Sequence, residues 1–495
     1  MEFIRVLLGI TIALFSCHVQ AQGKFYNTYT DNGYDMGEGI VQLADSSYLI
    51  TGASSSFYDE PARAFILHVD KFGNRLWSKP YGGSESQRGR RIFHIENDGI
   101  YVAGYTSSIG SGSFDFYFFK TDLTGNLIYE KAYGGPNFER LHDAALVPAD
   151  TSFILVGETK SNPEEIENLY IMRLKSNGDT LWTKQIGSPG ADIARGVEMI
   201  SDTTFVIVGD YYDVDSLKQK ALLMKMHING SVDWLQTVGQ KGECSLNDVT
   251  LDAGDLRAVG YIRYRQGNVD YSKLYGIIST PAGIVTHESI DQSAAIYTRY
   301  GYITNYSVLP NKYYVSEQST IGVAQNFGGG GEDAIISRIE GGTLYWTGGG
   351  VSVSSFGDDQ ITQLIRTSDG GAVAVGYNSS GGIGGNNVTL MKIGENDDFI
   401  PSYDLPNQGS LVLVNEIDET IQISIFPNPV EDILQIEVGS LENVHVQIMD
   451  ATGNMMEESS FNKLTSINLS EYANGLYLIR LEISGEFKTF KILKK

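Results

Sequence analysis

A repeated spacing of glycines constrains the fold of this chain more than any other feature of its sequence. A glycine that follows a short apolar run returns at steps of 52, 53, 52 and 51 residues and then after 116 residues. These glycines are Gly52, Gly104, Gly157, Gly209, Gly260 and Gly376. Self-similarity at this period is typical of propellers and solenoids, in which one supersecondary unit is repeated. We therefore interpret most of the chain as an array of copies of one unit.

An aromatic residue marks the same repeat at a second position, four residues after another glycine. All four tryptophans of the chain occupy this slot, and tyrosine or histidine fills it in the other copies. The slot holds Trp77, Tyr129, Trp182, Trp234, His287 and Trp346. A buried aromatic side chain removes roughly 150–250 Å² from water, so we expect these residues to pack against the neighbouring copy. A ligand-stacking role is the alternative.

Each copy contains four strand-like runs, joined in pairs by short Asn/Gly or Asp/Gly turns that specify antiparallel hairpins. Four antiparallel strands in each repeat form one propeller blade. The third run occurs seven times, but the last copy stops near Gly394 without a fourth strand. The segment 25–33 resembles that missing strand and places Tyr26 51 residues before Trp77. We therefore expect an all-β fold with a seven-bladed propeller over residues 22–397, closed by its N-terminal strand.

The N-terminus and the charge balance indicate where the protein acts. Arg5, an apolar stretch to Phe15 and a small-residue pattern ending at Ala21 predict a signal peptide over 1–21, with a lipid anchor at Cys17 as the alternative. The chain has 36 basic and 60 acidic residues, a formal net charge of -24. This charge repels nucleic acids and anionic membrane surfaces. No later run reaches the roughly 20 apolar residues of a membrane-spanning helix, so we expect an exported protein with no nucleic-acid partner.

The last part of the chain has a different composition, which follows a proline-containing linker predicted over 398–419. It contains Pro-Asn-Pro at 427–429, Asp-Ala-Thr-Gly at 450–453, Gly-Leu-Tyr at 475–477 and a basic end. Its alternating apolar runs predict a small C-terminal β-sandwich over 420–495. The segment resembles the C-terminal sorting domain of the type IX secretion pathway. That resemblance implies contact with the secretion machinery and delivery to the outer cell surface or the medium, while an ordinary binding sandwich is the alternative.

Known catalytic motifs do not occur in this sequence. The histidines share no metal-ligand spacing, and there is no His-Glu-x-x-His, Gly-x-Ser-x-Gly or phosphate-binding loop. The segment 70–77 is similar to the tryptophan-docking repeat of quinoproteins, but the vicinal cysteine pair of that family is missing here. We therefore expect no cofactor of these classes.

A ring of acidic residues is the best candidate for binding a metal. Steps of one repeat lead to acids near the start of the first strand of most copies, and these are Asp35, Glu139, Asp192, Glu243 and Asp359. Short acidic side chains in such turns most often accept hydrogen bonds from nearby backbone amides. The functional alternative is that several of them converge on the central channel and hold calcium, which prefers oxygen ligands.

The connections between the second and third runs are long and differ among the copies, as expected for a binding face on a rigid scaffold. Aromatic and arginine side chains there offer stiff contact area for sugar rings or extended peptides. The candidate ligand-binding residues are Tyr211, Tyr212, Tyr261, Arg263, Tyr264, Arg265 and Tyr271. Solvated loops with incidental tyrosines are the alternative. We expect a non-catalytic binding module for a glycan or a protein, with a polysaccharide hydrolase or lyase, or a structural adhesin, as alternatives.

Overall fold

The computed structural model divides into two compact units, Met1–Val412 and Leu413–Lys495. The residues that the structure describes are 24–29, 33–57, 61–239, 242–266, 269–290, 297–306, 312–320, 333–340, 351–353, 359–379, 385–394, 407–409, 423–427, 429–438, 443–450, 455–462, 464–470, 472–483 and 486–495. The signal peptide prediction lies outside these residues. Within the described ranges, the chain contains no helix with the length and hydropathy needed to cross a bilayer.

The first unit consists of antiparallel sheets whose strands pair mostly in chain order. Its first strand is β1 (Phe25–Tyr29). The first two four-stranded sheets contain β2 (Asp35–Gln42), β3 (Tyr48–Ser54), β4 (Arg63–Val69) and β5 (Arg75–Tyr81), then β6 (Gln87–Ile95), β7 (Gly99–Thr106), β8 (Asp115–Thr121) and β9 (Leu127–Tyr133). The next two contain β10 (Glu139–Val147), β11 (Ser152–Thr159), β12 (Asn168–Leu174) and β13 (Thr180–Ile186), then β14 (Ile193–Ser201), β15 (Thr204–Asp213), β16 (Lys218–His227) and β17 (Val232–Val238).

Three further sheets complete the described part of this unit. They contain β18 (Glu243–Asp252), β19 (Asp255–Gln266), β20 (Val269–Ser279) and β21 (Val285–Ile290), then β22 (Tyr297–Tyr306), β23 (Lys312–Thr320), β24 (Asp333–Glu340) and β25 (Val351–Val353), and finally β26 (Asp359–Arg366), β27 (Ala372–Asn378), β28 (Asn387–Ile393) and β29 (Asn407–Gly409). In this last sheet, β1 lies between β28 and β29.

The strand β1 pairs antiparallel with β28, at the edge where the last copy of the repeat lacks its fourth strand. Phe25 is opposite Lys392, as Trp77 of β5 is opposite His68 of β4. The residue equivalent to Trp77 is therefore Phe25, and the sequence alignment that chose Tyr26 is wrong by one position. The predicted linker also differs from the structure, because its strand β29 pairs in parallel with β1.

The first strands of neighbouring sheets contact one another in the order β2, β6, β10, β14, β18, β22 and β26, and β26 also contacts β2. The last contact includes two hydrogen bonds. Thr362 Oγ1 donates to the carbonyl oxygen of Gly37 at 2.7 Å, and the amide of Ile40 donates to Gln363 Oε1 at 2.7 Å. These bonds join the end of the repeat array to its beginning.

The apolar core lies between adjacent sheets. Leu49 and Ile66 of the first sheet, for example, pack with Ile92 and Phe119 of the second, and all four are at most 4% exposed. The strand β11 is buried along its whole length. Because both faces of this strand are covered by neighbours, its residues 153–156 form a continuous apolar run.

The second unit contains two antiparallel sheets. Its strands are β30 (Ile423–Phe426), β31 (Ile433–Val438), β32 (Asn443–Asp450), β33 (Met455–Asn462), β34 (Leu464–Asn468), β35 (Gly475–Ile483) and β36 (Glu486–Lys494). One sheet has the order β30-β31-β34 and the other β33-β32-β35-β36. Side chains from both sheets, such as Leu434 and Ile436 with Val446 and Leu481, form a single buried cluster.

Candidate functional site: an arginine-lined central cavity

The first strand of each sheet in the first unit contains a β-bulge or a comparable irregularity at the same place. On β6, for example, Gly89 pairs with Gly104 and Arg91 pairs with Ala103, so Arg90 has no partner across the ladder. The residues skipped in this way in six of the sheets are Glu38, Arg90, His142, Arg195, Asn247 and Thr362, which we call the inner ring. A bulge redirects a side chain that regular pairing would place elsewhere.

The repeated glycine of the sequence lies directly opposite the irregularity in these six sheets. A Cβ atom added to Gly52 would lie 1.8 Å from the carbonyl oxygen of Met36, far inside van der Waals contact. The corresponding distances are 1.8 Å from Gly104 to Arg88 O, 2.0 Å from Gly157 to Arg140 O, 1.9 Å from Gly209 to Ile193 O, 2.1 Å from Gly260 to Ser245 O and 1.8 Å from Gly376 to Gln360 O. The glycine period therefore records a close backbone approach that the bulge requires.

The inner ring lines a cavity of about 270 Å³ where the first strands converge. The other residues of its wall are Arg88, Arg91, Tyr105, Arg140 and Gln360. Five of the 16 arginines in this acidic chain line this one cavity. Among the described residues of its wall, Glu38 is the single carboxylate. The cavity wall is thus rich in guanidinium groups in a protein whose net charge is -24.

Carboxylates hold four of these arginines in place. Glu38, which is 1% exposed, accepts hydrogen bonds from both Arg88 and Arg90. The other two pairs are Arg91 Nε with Asp143 Oδ1 at 2.5 Å and Arg195 Nη2 with Asp210 Oδ2 at 2.6 Å. Such charge-assisted bonds fix the orientation of guanidinium groups that would otherwise move freely.

Arg140 is the arginine of the cavity whose charge is not neutralised in this way. Its guanidinium carbon lies 5.0 Å from the ring centroid of Phe138 and 5.8 Å from that of Tyr105. Among the described residues it makes no ion pair, and its side chain is exposed. Asn247 is 8% exposed, and its Nδ2 atom has no hydrogen-bond partner within the described part of the chain. Both side chains offer donors to a bound acceptor.

Tyr105 lies among the guanidinium groups. Burial raises the pKa of its hydroxyl, but the charges of Arg88, Arg90 and Arg140 and a hydrogen bond from Arg88 outweigh burial, so the net shift is downward. The phenolate form of Tyr105 is therefore easier to reach than that of an ordinary tyrosine.

His142 is held by a carboxylate on the neighbouring strand. Its Nε2 lies 3.3 Å from Glu158 Oε1. Burial is the main cause that lowers the pKa of His142, with Arg195 and Arg90 adding to it, while Glu158 opposes the shift. The pKa of Glu158 is also lowered, because His142, Arg140 and Arg195 outweigh its burial. An ionised Glu158 only accepts hydrogen bonds, so neutral His142 carries its proton on Nε2 and its lone pair on Nδ1.

The ring of acids predicted from sequence lies three or four residues before the inner ring, and three of its members accept hydrogen bonds from local donors. Asp35 accepts hydrogen bonds from the hydroxyls of Ser54 at 2.5 Å and Ser56 at 2.8 Å. Glu139 accepts from Thr159 Oγ1 at 2.5 Å and the Gly135 amide at 2.7 Å.

The remaining acids differ from one another. Asp192 accepts hydrogen bonds from the amide of Tyr212 at 2.8 Å and from Ser188. Glu243 is exposed at the start of β18, and Asp359 begins β26, where only its backbone is described. Among the described residues, no group of three or more His, Cys, Asp or Glu side chains is placed to hold a metal ion.

The repeated aromatics lie on the fourth strands and contact the turn of the following sheet. Trp182 Nε1 donates to Ile228 O at 2.8 Å, and Tyr129 donates to Ser176 O at 2.5 Å. The rings of Trp77 and Trp234 lie against the turn glycines Gly125 and Gly283, respectively. Trp346 lies outside the described residues.

The predicted binding loop from Tyr261 to Tyr271 is instead a β-hairpin. Residues 255–266 and 269–279 pair as β19 and β20, with Tyr264 opposite Tyr271. Arg263 is exposed and lies 4.7 Å from the ring centroid of Tyr261, while Tyr264 packs partly into the core. The next position, Arg265, is also on β19, and the side chain of Tyr271 is outside the described part of the structure.

Tyr211 and Tyr212 likewise belong to a strand, at the end of β15. Tyr211 packs partly against a buried cluster, and the ring of Tyr212 covers Gly190. These tyrosines are partly used in packing. The sequence prediction missed the inner ring, although a step of one repeat from residue 38 would have found it. Because the six positions of the inner ring do not share one residue type, they form no motif that can be recognised in the sequence.

Comparison with known proteins identifies the C-terminal part of the chain. Residues 424–495 match the family model of the secretion system C-terminal sorting domain. This segment is a type IX sorting domain. The sorting domain indicates export and a cell-surface or secreted location. No curated protein matches the chain.

Solved structures are similar to the chain at low identity. The WD40 domain of Neurospora crassa Pan2 is 10% identical and covers 72% of this chain and 89% of its own, with a TM-score of 0.41. The β-propeller domain of the Trilobed protease from Pyrococcus furiosus is 10% identical and covers 76% of this chain and 96% of its own, also with a TM-score of 0.41. The four-stranded sheets of the first unit and the contacts among their first strands are those of a β-propeller, and the sorting domain indicates export by type IX secretion.

Proposed function

We propose that this exported propeller is a binding module for an acidic glycan, which it holds in the arginine-lined cavity. The observation that carries the proposal is the concentration of five arginines in one wall, where Arg88 and Arg90 share a single carboxylate and Arg140 pairs with none among the described residues. Like charges placed together repel each other and lose hydration, which costs stability. A wall that maintains this arrangement is suited to an anionic ligand, which removes that cost when it binds.

The proposal includes a closed ring of seven blades. It is supported by the pairing of β1 with β28 and by the hydrogen bonds from Thr362 and to Gln363 that join the last sheet to the first. We further propose that residues 1–21 act as a signal peptide and that the second unit is a β-sandwich. In a closed ring the wall of the cavity is supported on all sides, which keeps its donors in place without a ligand.

An acidic sugar fits the cavity better than a protein surface does. The volume of about 270 Å³ is near the lower end for small-molecule sites. Besides guanidiniums, the wall offers the side-chain amides of Asn247 and Gln360, which can bond sugar hydroxyls. Arginine also pairs with a carboxylate through two parallel hydrogen bonds. The combination is suited to a carboxylated sugar unit of a longer glycan.

The acids predicted to bind calcium receive a structural role in this proposal. The carboxylates of Asp35, Glu139 and Asp192 accept bonds from hydroxyl and amide donors beside their own turns. These donors would compete with a cation for the same oxygens. Calorimetric titration with calcium should then produce no heat of binding, and calcium should not raise the melting temperature. A saturable heat of binding would overturn this assignment.

Substitution of Arg140 tests the site. Arg140→Gln should weaken the binding of uronic-acid oligosaccharides by about ten-fold to a hundred-fold, because a hydrogen bond to a charged group contributes about 1.5–3 kcal/mol. Calorimetry with oligomers of galacturonate, glucuronate and mannuronate measures this effect. Lys131→Gln makes the same charge change on the outer strand β9 and should leave affinity unchanged. Equal losses in both variants, or no binding by the wild type, would contradict the proposal.

A further inference from the structure

The cavity contains two acid–base side chains that simple binding of an anion does not require. Tyr105 shares the cavity wall with Arg88, Arg90 and Arg140, and His142 is oriented by Glu158. Both line the same space as Arg140. A base with its own orienting carboxylate, a second proton-transfer group and a free guanidinium in one cavity are the parts of an acid–base site.

The wall favours elimination over hydrolysis as the chemistry of this site. Glycosidases use two carboxyl groups on either side of the scissile bond. Among the described residues of the wall, Glu38 is the single carboxylate, and Arg88 and Arg90 both bind it. Elimination next to a carboxylate instead requires a cation on that carboxylate, a base and an acid. Arg140, His142 and Tyr105 supply these three types of group.

We propose that the cavity cleaves uronic-acid glycans by β-elimination, with His142 as the base, Tyr105 as the acid and Arg140 paired with the uronate carboxylate. This inference rests on the proposed function, because the sugar must first bind through the arginines. It adds turnover to that function and defines the substrate class as 4-linked uronates, since these carry a leaving group on the carbon next to the acidic C–H.

The reaction balances without a co-reactant. His142 Nδ1 takes the proton from C5 of the uronate, and the electron pair of that C–H bond forms the C4=C5 double bond. The bond from C4 to the glycosidic oxygen breaks, and its electron pair leaves on that oxygen. The oxygen then takes the proton of the Tyr105 hydroxyl. The products are a glycan with a new reducing end and one that begins with an unsaturated uronate.

The surroundings of each group match its role. Glu158 holds the Nε2 proton of His142 and stabilises the imidazolium that forms when Nδ1 is protonated. Since burial lowers the pKa of His142, the ring is neutral and able to accept a proton near neutral pH. The charges of Arg88, Arg90 and Arg140, which share the cavity wall with Tyr105, stabilise the phenolate that remains after proton transfer. Arg140 also stabilises charge that develops on the carboxylate as C5 loses its proton.

The experiment incubates the purified protein with oligomers of galacturonate, glucuronate and mannuronate and follows the ultraviolet absorbance of the unsaturated product. Binding is measured in parallel by calorimetry. His142→Ala and Tyr105→Phe should each lower the rate by at least about 100-fold while oligosaccharide binding stays within about three-fold of the wild type. Tyr133→Phe, on the outermost strand β9 of the sheet that contains Tyr105, should keep the wild-type rate.

The outcomes separate this inference from the proposed function. Binding without any unsaturated product would overturn elimination and leave the binding function intact. New reducing ends without unsaturation would overturn it in favour of hydrolysis. Full activity in His142→Ala or Tyr105→Phe would remove the assigned roles. If no uronate oligomer binds, the proposed function fails together with this inference.

Discussion

The first and fourth strands of the same sheets differ in how far they keep the repeated sequence. On β5, β9, β13 and β17 one position holds Trp77, Tyr129, Trp182 and Trp234, and each contacts the turn of the next sheet. On the first strands the inner ring holds five different residue types in six sheets. On the fourth strands, the residues are alike because each copy packs against the next one in the same way. On the first strands, different residues give each copy a different contribution to the wall of the cavity.

The comparison also explains why the glycines repeat although the residues opposite them do not. Each bulge moves a backbone carbonyl against the second strand, whatever the side chain of the bulged residue is. The backbone geometry therefore repeats, while the side chain is free to vary. A strictly repeated frame that carries varied side chains is a means of building one asymmetric site from similar copies.

The largest expected effect concerns the repeated aromatic on the fourth strands. Trp182→Ala removes a ring that packs on a buried cluster and loses the bond from Nε1 to Ile228 O. We expect a loss of about 3–5 kcal/mol in the free energy of unfolding, from the cavity that remains. Chemical denaturation measures this loss, and ligand affinity should not change. An unchanged unfolding midpoint would contradict a packing role for the repeated aromatic.

A second prediction concerns a repeated glycine and the inner-ring residue that its bulge presents. Gly157→Ala would place a Cβ 2.0 Å from the carbonyl oxygen of Arg140, so the bulge that presents His142 must shift. We expect a loss of about 1–3 kcal/mol in stability, typical of overpacking, together with weaker binding of the uronate oligomers. Gly475→Ala, which introduces a Cβ into open space, is the control. Stability lost without any change in affinity would separate the glycine from the site.

A smaller effect concerns pH and the half-buried Glu198 of β14. Burial raises its pKa to about 8, with Asp248 and Asp143 adding to the shift, while the Leu251 amide opposes it. An acid with a raised folded pKa contributes stability fully below its unfolded pKa, here 4.5, and loses it as pH rises through about 8.

The matching experiment compares Glu198→Gln with the wild type. From about pH 5 to about pH 9, the wild type should lose about 1–3 kcal/mol more unfolding free energy than Glu198→Gln, which stays neutral. Urea denaturation at each pH measures the difference. Parallel pH profiles for the two proteins would show that Glu198 does not titrate with the expected shift.

The smallest expected effect sharpens the position of the site. Arg263→Gln changes an exposed residue of the β19–β20 hairpin, which the sequence indicated as a binding surface. We expect a change below about 0.5 kcal/mol in stability, as for most surface substitutions, and unchanged affinity for uronates. If this variant loses binding and Arg140→Gln does not, the hairpin and not the cavity holds the ligand.

Much of the fold could be predicted from local sequence. Tight turns such as the one at Gly73, which has a φ of 80° and lies between β4 and β5, carry signals that a single chain segment contains. Strand register was harder to predict. The one-residue error at Phe25 arose because Phe25 and Tyr26 are both aromatic, and only pairing with Lys392 of β28 decides between them.

The sequence by itself determined the repeat, the strand content, the missing strand that β1 supplies and the sorting domain. These features depend on local turn chemistry, apolar patterning and a contiguous motif. Only the tertiary structure decided that Arg90, His142 and Arg195 share a cavity, since a bulge and its neighbouring strands set where each side chain points. The charges of that cavity lie on strands about 50 residues apart in the chain, so their mutual effects exist only after the sheets have packed around it.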